Sequence, residues 1–262
     1  MEKGEQLGDF KMKIKGNLIV FSTDNEERKD VRRLKEKKLQ LLLSNDNTFP
    51  VFDVKKDEYI KDAAANKMEE LFGTSKFYIE QLYTWGDPKY YTNEEEVIVT
   101  YLGVINKKNI KTMLKNMDFY DINIENENSK IQKVTLCNDN RKIQYRIETI
   151  TKRERENIDY INKLVQKSEI DELTAIIIHT GIKRLRNRIE NTNIAFSFLN
   201  KEFAISELQQ IYEIILDKKL VSANFRKKIE PMIKKTDKIV KESAYRPSSL
   251  YMFNEAYIRN WV

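Results

Sequence analysis

Residues 203–253 run through two short amphipathic segments, a tight break and a basic hairpin, and few folds accommodate that order. Leu208, Ile211, Tyr212 and Ile215 recur at helical spacing on one face. Ser206 is the expected N-cap, with Gln209 three residues on as its capping-box partner. After residues 217–221, Ser222 is the expected cap of a second helix whose apolar side carries Phe225, Ile229 and Ile233. Asn224, Arg226, Lys227 and Lys228 then face away from that side. Pro231 disfavours helix at Glu230, so the second helix ends or kinks there after about two to three turns. Residues 238–241 and 250–253 read as the strands of a hairpin, joined by a Ser- and Pro-containing loop that carries Arg246. Helix, turn, helix and hairpin in this order predict a winged helix-turn-helix unit.

The charge distribution supports an anionic partner for that unit. The whole chain is +6, and residues 218–246 hold ten Lys/Arg against three Asp/Glu. Residues 183–262 hold sixteen against nine, which leaves 31 against 32 in the first 182, so the positive excess lies entirely at the C-terminal end. That is the footprint of a surface that meets phosphates. With Ser222 as cap, the first-turn N–H groups of the second helix are presented to a phosphate. Asn224 and Arg226 suit bidentate contacts to adenine and guanine edges, whereas Lys227, Lys228, Lys234, Lys235 and the wing residue Arg246 suit the backbone. The same cations also fit the solvated face of an ordinary packed helix pair in a Lys- and Asn-rich chain, and the pattern leaves both readings open.

At 262 residues the chain has room for two domains, each with its own core. The first residues lack the apolar core of a signal peptide, and no apolar run approaches the roughly 18 to 20 residues that span a bilayer. A cytoplasmic protein without membrane contact is expected. Cys137 is the only cysteine, which excludes an intramolecular disulfide and a thiolate zinc cluster. His179 is the only histidine and follows Ile176, Ile177 and Ile178, the setting of a packed or interfacial imidazole rather than a catalytic base. No metal and no cofactor is expected.

In the first part of the chain, residues 16–21 and 39–43 read as strands separated by a charge-dense loop or exposed helical turn over 24–38. Residues 49–52 lead into a helix over 55–72, with Ala63, Ala64, Met68 and Leu71 at core spacing and Gly73 as its stop. Residues 77–83 and 96–105 are β-rich runs flanking Gly86-Asp87-Pro88, and they are expected to pair.

The segment 49–74 resembles a decayed Nudix box, G-x5-E-x7-R-E-U-x-E-E-x-G-U. Laid on without a gap, the box places Phe52 at its leading Gly, Glu58 at its first Glu, Asn66 at Arg, Lys67 at the next Glu and Met68 at U. Glu70 and Leu71 fall on the paired Glu, Gly73 on Gly and Thr74 on the last U. The box holds divalent metal against a pyrophosphate through carboxylates on one helix face; Lys67 reverses one ligand charge and Leu71 removes another. The segment 77–105 is similar to the stretch directly after the box in the Nudix-related transcriptional regulators, in which a Nudix-like effector domain is fused to a C-terminal winged helix. Residues 183–186, 193–196, 203–212, 224–229 and 246–253 match that family in order and spacing. The chain departs from it at Pro50-Val51-Phe52, where the family has Pro-Gly-Gly, and at 89–93, where an Arg-rich run is usual.

Residues 131–136 and 142–147 alternate as strands around an Asn138-Asp139-Asn140 turn. Residues 151–166 are charged and helix-prone, and 172–188 read as a helix apolar on more than one side. Its second partner is either the other domain or the same helix of a second subunit. The resulting expectation is an α+β chain: a Nudix-like mixed-sheet effector domain over 1–150, a helical linker and dimer contact over 151–192, and a winged helix-turn-helix domain over 193–262. The resemblance implies a homodimer that binds a double-stranded DNA operator and responds to a small-molecule effector such as ADP-ribose, a nucleotide or a phosphorylated sugar. The effector pocket is expected between the sheet and the 55–72 helix. The alternatives are a Nudix pyrophosphohydrolase acting on ADP-ribose or a related nucleoside diphosphate derivative, and a nucleic-acid-binding scaffold without a ligand.

Overall fold

The computed structural model describes residues 13–24, 37–87, 96–166, 168–240 and 248–257. Its first part comprises β1 (Lys13–Thr23), β2 (Leu39–Ser44), β3 (Val51–Asp53), α1 (Ile60–Phe72), β4 (Tyr78–Trp85), β5 (Glu96–Val104), β6 (Met117–Asn126), β7 (Ile131–Cys137), β8 (Lys142–Glu154) and β9 (Asn157–Leu164). The strands form a nine-stranded sheet in the order β4-β5-β1-β2-β6-β7-β8-β9, with β3 also paired to β1. β1 runs parallel to β5 and antiparallel to β3 and β2, so the sheet is mixed, as expected. Leu18, Ile19, Val20 and Phe21 of β1 are fully buried, the continuous apolar run of a strand covered on both faces. Leu18 and Val20 meet α1, whereas Ile19 and Phe21 face the opposite core.

Helix α1 begins at Ile60, later than the expected residue 55, and packs Ala63, Ala64, Met68, Leu71 and Phe72 onto the sheet. Gly73 ends it in the left-handed region, φ +64°, with its N–H donating to Glu69 O at 2.8 Å. β4 and β5 pair antiparallel, as do β7 and β8. Asn138 Oδ1 closes the β7–β8 turn by accepting from Asn140 N–H (3.0 Å) and Arg141 N–H (2.8 Å).

The charged stretch 151–166 is not helical. β8 runs on to Glu154 and pairs with β9, with Ile150 opposite Ile161 and Thr151 opposite Tyr160. Cross-strand β-branched and aromatic pairs outweigh the helix propensity of the intervening Lys, Arg and Glu. The chain reverses through Arg155 at φ +54°. The sheet therefore continues past residue 150.

Helix α2 (Glu172–Ile189) is capped by Asp171. Its Oδ1 accepts Thr174 N–H at 2.9 Å and its Oδ2 accepts the Thr174 hydroxyl at 2.6 Å, a cap that stabilises by about 1 kcal/mol. Both apolar sides are buried within one chain: Ile177, Ile178, Leu185 and Ile189 are at most 1% exposed. One side lies on the Ile19/Phe21 face of the sheet. A Cβ on Gly181 would stand 2.7 Å from Ile19 Cδ1 and 3.1 Å from the Phe21 ring, so a larger residue there requires these side chains to shift. The other side meets α3 (Ile205–Leu216), and burial between the two parts of the chain accounts for the apolar pattern.

The last part is α3, α4 (Ser222–Ile229), β10 (Ile233–Val240) and β11 (Ser248–Phe253). Leu208, Ile211, Tyr212 and Ile215 of α3 and Phe225 and Ile229 of α4 are buried together, Tyr212 and Phe225 edge to face at 5.1 Å. Three local expectations are corrected. Ala204, not Ser206, holds the N-cap position of α3, because Glu207 reaches back to accept Ala204 N–H at 2.8 Å. Val221 holds that position in α4, and Ser222 is already helical. Ile233 opens β10 instead of extending α4, since Pro231 sits in the 3₁₀ turn Glu230–Met232 and breaks the helix before it. The hairpin is thus longer than expected, with an irregularity between Lys235 and Ile239. Phe203 adds a bridge to Tyr251. Among the described residues no helix is long and apolar enough to cross a membrane.

Candidate nucleic-acid interface and ligand domain

Because α4 turns Phe225 and Ile229 inward, Asn224, Arg226 and Lys227 stand exposed on its outer side. The first intrahelical bond is Phe225 N–H to Val221 O at 2.9 Å. Val221 offers no side-chain acceptor, so the N–H groups of residues 222–224 are open to an anion, although Ser222 itself does not cap them. Lys228 is placed differently from the expectation. Its Nζ lies 2.8 Å from Glu190 and over the Tyr212 ring, which fastens α4 to the end of α2. Lys234 and Lys235 are both exposed on β10, but as neighbours on a strand they leave it on opposite faces. Arg246 lies outside the described residues.

Two sets of arginine contacts tie α2 to its neighbours. Arg184 donates to Leu82 O at 2.8 Å, and Glu80 of β4 sits 3.5 Å from Arg184 and 3.3 Å from Arg188. Tyr78 donates to the same carboxylate at 2.7 Å, and burial with this neighbour pushes its phenol well above the usual range. On the opposite side Arg186 Nε donates to Ile215 O at 3.0 Å, at the end of α3. Arg184 and Arg186 lie in the 183–186 stretch that carries the family resemblance, but no motif assigns them these partners; the i, i+2 and i+4 spacing of the three arginines on a two-sided helix is the signal in the sequence.

At the box, Glu58 accepts from Asn66 Nδ2 and from Lys55 N–H, both at 3.1 Å. Glu70 is paired with Lys67 at 2.8 Å, so an ammonium stands beside the carboxylate. Leu71 points into the core, 1% exposed. Among the described residues no three His, Cys, Asp or Glu side chains converge as metal ligands. Phe52, in the place of the leading glycine, lies directly on Gly16, with its ring edge-on to Tyr101 at 6.2 Å. The interface between sheet and α1, the expected place of a polar effector pocket, is filled by these rings together with Met68, Leu71 and Phe72.

His179 is mostly buried on α2. Burial, with Lys183 and Arg186 nearby, lowers its pKa to about 4. The unfolded chain takes up the proton near pH 6.5 and the folded chain only near 4. The stability contributed by neutral His179 is therefore fully present above about pH 6.5 and is lost, by up to about 1.4 kcal/mol per pH unit, as pH falls from there towards 4. His179→Gln is expected to flatten this dependence in urea unfolding at pH 7 and pH 5; an equal acid loss in both proteins would show that other groups cause it.

Residues 195–253 match the family described as the NrtR DNA-binding winged helix domain. Over 250 residues the chain is 23% identical to the ADPR responsive transcriptional repressor NtrR of Acinetobacter baylyi, covering 90% of this chain and 80% of the relative. In fold it is similar to a MutT/nudix family protein from Enterococcus faecalis (TM-score 0.64, 17% identity, 93% of this chain and 88% of that one). It is also similar to Shewanella oneidensis NrtR complexed with a 27mer DNA (TM-score 0.61, 16% identity, 92% and 93%).

Proposed function

We infer that this chain, a Nudix-related transcriptional regulator with a C-terminal winged helix, represses by binding an operator through α4 and releases it when its sheet domain binds ADP-ribose or a related nucleoside diphosphate derivative. The observation that carries the reading is the outer side of α4. There, three N–H groups without a side-chain cap adjoin Asn224, Arg226 and Lys227, on a helix inside the matched winged-helix region. This arrangement provides one phosphate anchor and two side chains able to read base edges.

The sheet domain senses its ligand without hydrolysing it. Metal-assisted attack on a pyrophosphate needs carboxylates gathered around a divalent ion. Here Lys67 neutralises Glu70, Asn66 and Lys55 occupy Glu58, and Leu71 belongs to the core. The protein acts in the cytoplasm as a homodimer, so its operator is an approximate palindrome with half-sites one helical turn or a multiple apart.

Fluorescence anisotropy with duplexes from the region flanking its own gene tests this reading. ADP-ribose is expected to release the duplex, while no AMP or ribose phosphate accumulates above the protein-free rate with magnesium or manganese present. DNA binding indifferent to ADP-ribose would remove the effector assignment, and turnover lost in Glu70→Gln would restore the hydrolase alternative.

A further inference from the structure

Beyond the C-terminal end of α1 the surface opens into a cleft of about 530 Å³. Glu69 and residues 73–76 form one wall; Lys108, Asn109 and Lys111 form the other. The walls are fixed to one another. Lys111 and Thr112 N–H donate to Phe72 O at 2.9 and 3.3 Å, and Gly73 turns so tightly that a Cβ there would lie 2.9 Å from Thr112 Oγ1. The cleft is thus preformed, and its volume falls in the range of roughly 300–1,000 Å³ typical of small-ligand sites.

Its charge is unbalanced. Lys38, Lys67, Lys228 and Lys238 each pair with a carboxylate, but among the described residues Lys76, Lys108 and Lys111 do not. Three ammonium groups bordering one cleft against the single carboxylate of Glu69 favour an anion. The hydroxyls of Thr74 and Ser75 add neutral donors to the same wall.

One wall of the cleft is joined through Asn106 to the segment that leads into α3. Lys108 belongs to the 3₁₀ turn Lys107–Asn109, capped by the buried Asn106, whose Oδ1 accepts Lys108 N–H at 2.9 Å. Asn106 Nδ2 in turn donates to Asn200 Oδ1 at 3.2 Å, just ahead of α3.

We propose that this cleft, lined by Lys76, Lys108 and Lys111, is the seat of the diphosphate of a nucleoside diphosphate ligand. The inference deepens, and for its ligand class rests on, the effector reading above. It differs from the expected location, since the sheet–α1 interface is filled by apolar side chains. A phosphate bound to Lys108 would pull on the turn that Asn106 holds against Asn200, which links occupancy of the cleft to the DNA-binding part.

Calorimetric titration of the full chain with sodium pyrophosphate and with ADP-ribose is the test, paired with the DNA-release assay. Both compounds are expected to bind the wild type. The exposed triple change Lys76→Ala, Lys108→Ala and Lys111→Ala should leave the thermal melt unchanged and weaken both by at least about tenfold, the loss of one or more charge-assisted hydrogen bonds. Glu69→Gln should tighten pyrophosphate binding. Unaltered affinity in the triple variant, or a wild type that takes neither compound, overturns the proposal. If ADP-ribose releases DNA equally from wild type and triple variant, the regulator reading stands and the cleft fails. If pyrophosphate binds the wild type but not the triple variant while ADP-ribose leaves DNA untouched, the cleft stands and the effector reading fails.

Discussion

Asn224→Ala and Arg226→Ala are each expected to cost about 1–3 kcal/mol in discrimination between operator and scrambled duplex, because each removes a side chain able to make two hydrogen bonds to one base edge. Both side chains are exposed, so the variants should fold as the wild type does. Lys227→Ala and Arg246→Ala should instead weaken both duplexes alike, as should one of Lys234→Ala and Lys235→Ala, whose side chains leave β10 on opposite faces, and each cation removed from a phosphate should lower the salt slope by about one. Lys228→Ala belongs to neither class. Its ammonium is held by Glu190, so its removal acts on how α4 is seated. Anisotropy titrations on both duplexes from low to moderate salt would read all of these, and unchanged binding by the double variant Asn224→Ala, Arg226→Ala would remove α4 from the interface.

The second large effect is expected at Leu185. Its side chain is completely buried in the core that the sheet, α2 and α3 share. Leu185→Ala should lower stability by about 2–5 kcal/mol, the range for a large-to-small change in a close-packed core. Because that core spans both parts of the chain, urea unfolding followed by the fluorescence of Trp85 in the sheet, in a Trp261→Phe background that removes the second tryptophan, should shift together with loss of DNA binding. A loss of DNA binding at urea concentrations that leave the fluorescence untouched would show that the two parts unfold separately.

The elements that sequence disclosed most completely are those where one face is apolar and one polar. Leu208, Ile211, Tyr212 and Ile215 mark α3, and Phe225 and Ile229 mark α4, because each helix buries a single stripe. The β7–β8 hairpin was equally plain from its Asn-rich turn. The β8–β9 hairpin is just as local, but its turn at Arg155-Glu156 carries no glycine, proline or asparagine, and the charged residues of 151–166 suit an exposed strand as well as a helix. Caps mislead for another reason: Ser206 and Ser222 are good cappers by type, but α3 starts where Glu207 closes back on Ala204 N–H, and α4 where Val221 O accepts Phe225 N–H. In the candidate site, the outward residues Asn224, Arg226 and Lys227 follow directly from helical phase. The engagement of Lys228 by Glu190, 38 residues away, and the contact of Asn106 with Asn200, 94 residues away, do not.

The double burial of α2 has a consequence for how a signal can cross this chain. A flexible tether would let the DNA-binding part tumble independently, and a ligand would act by changing its freedom of motion. Here the connecting helix is itself core, wedged against Ile19 and Phe21 on one side and latched through Arg186 to Ile215 on the other. Close-packed interfaces of this kind have discrete alternatives rather than a continuum of positions. A ligand that is to turn binding from almost complete to almost absent must therefore prefer one seating of α2 over another by about 5.5 kcal/mol, the difference needed to carry a two-state population from 1:99 to 99:1.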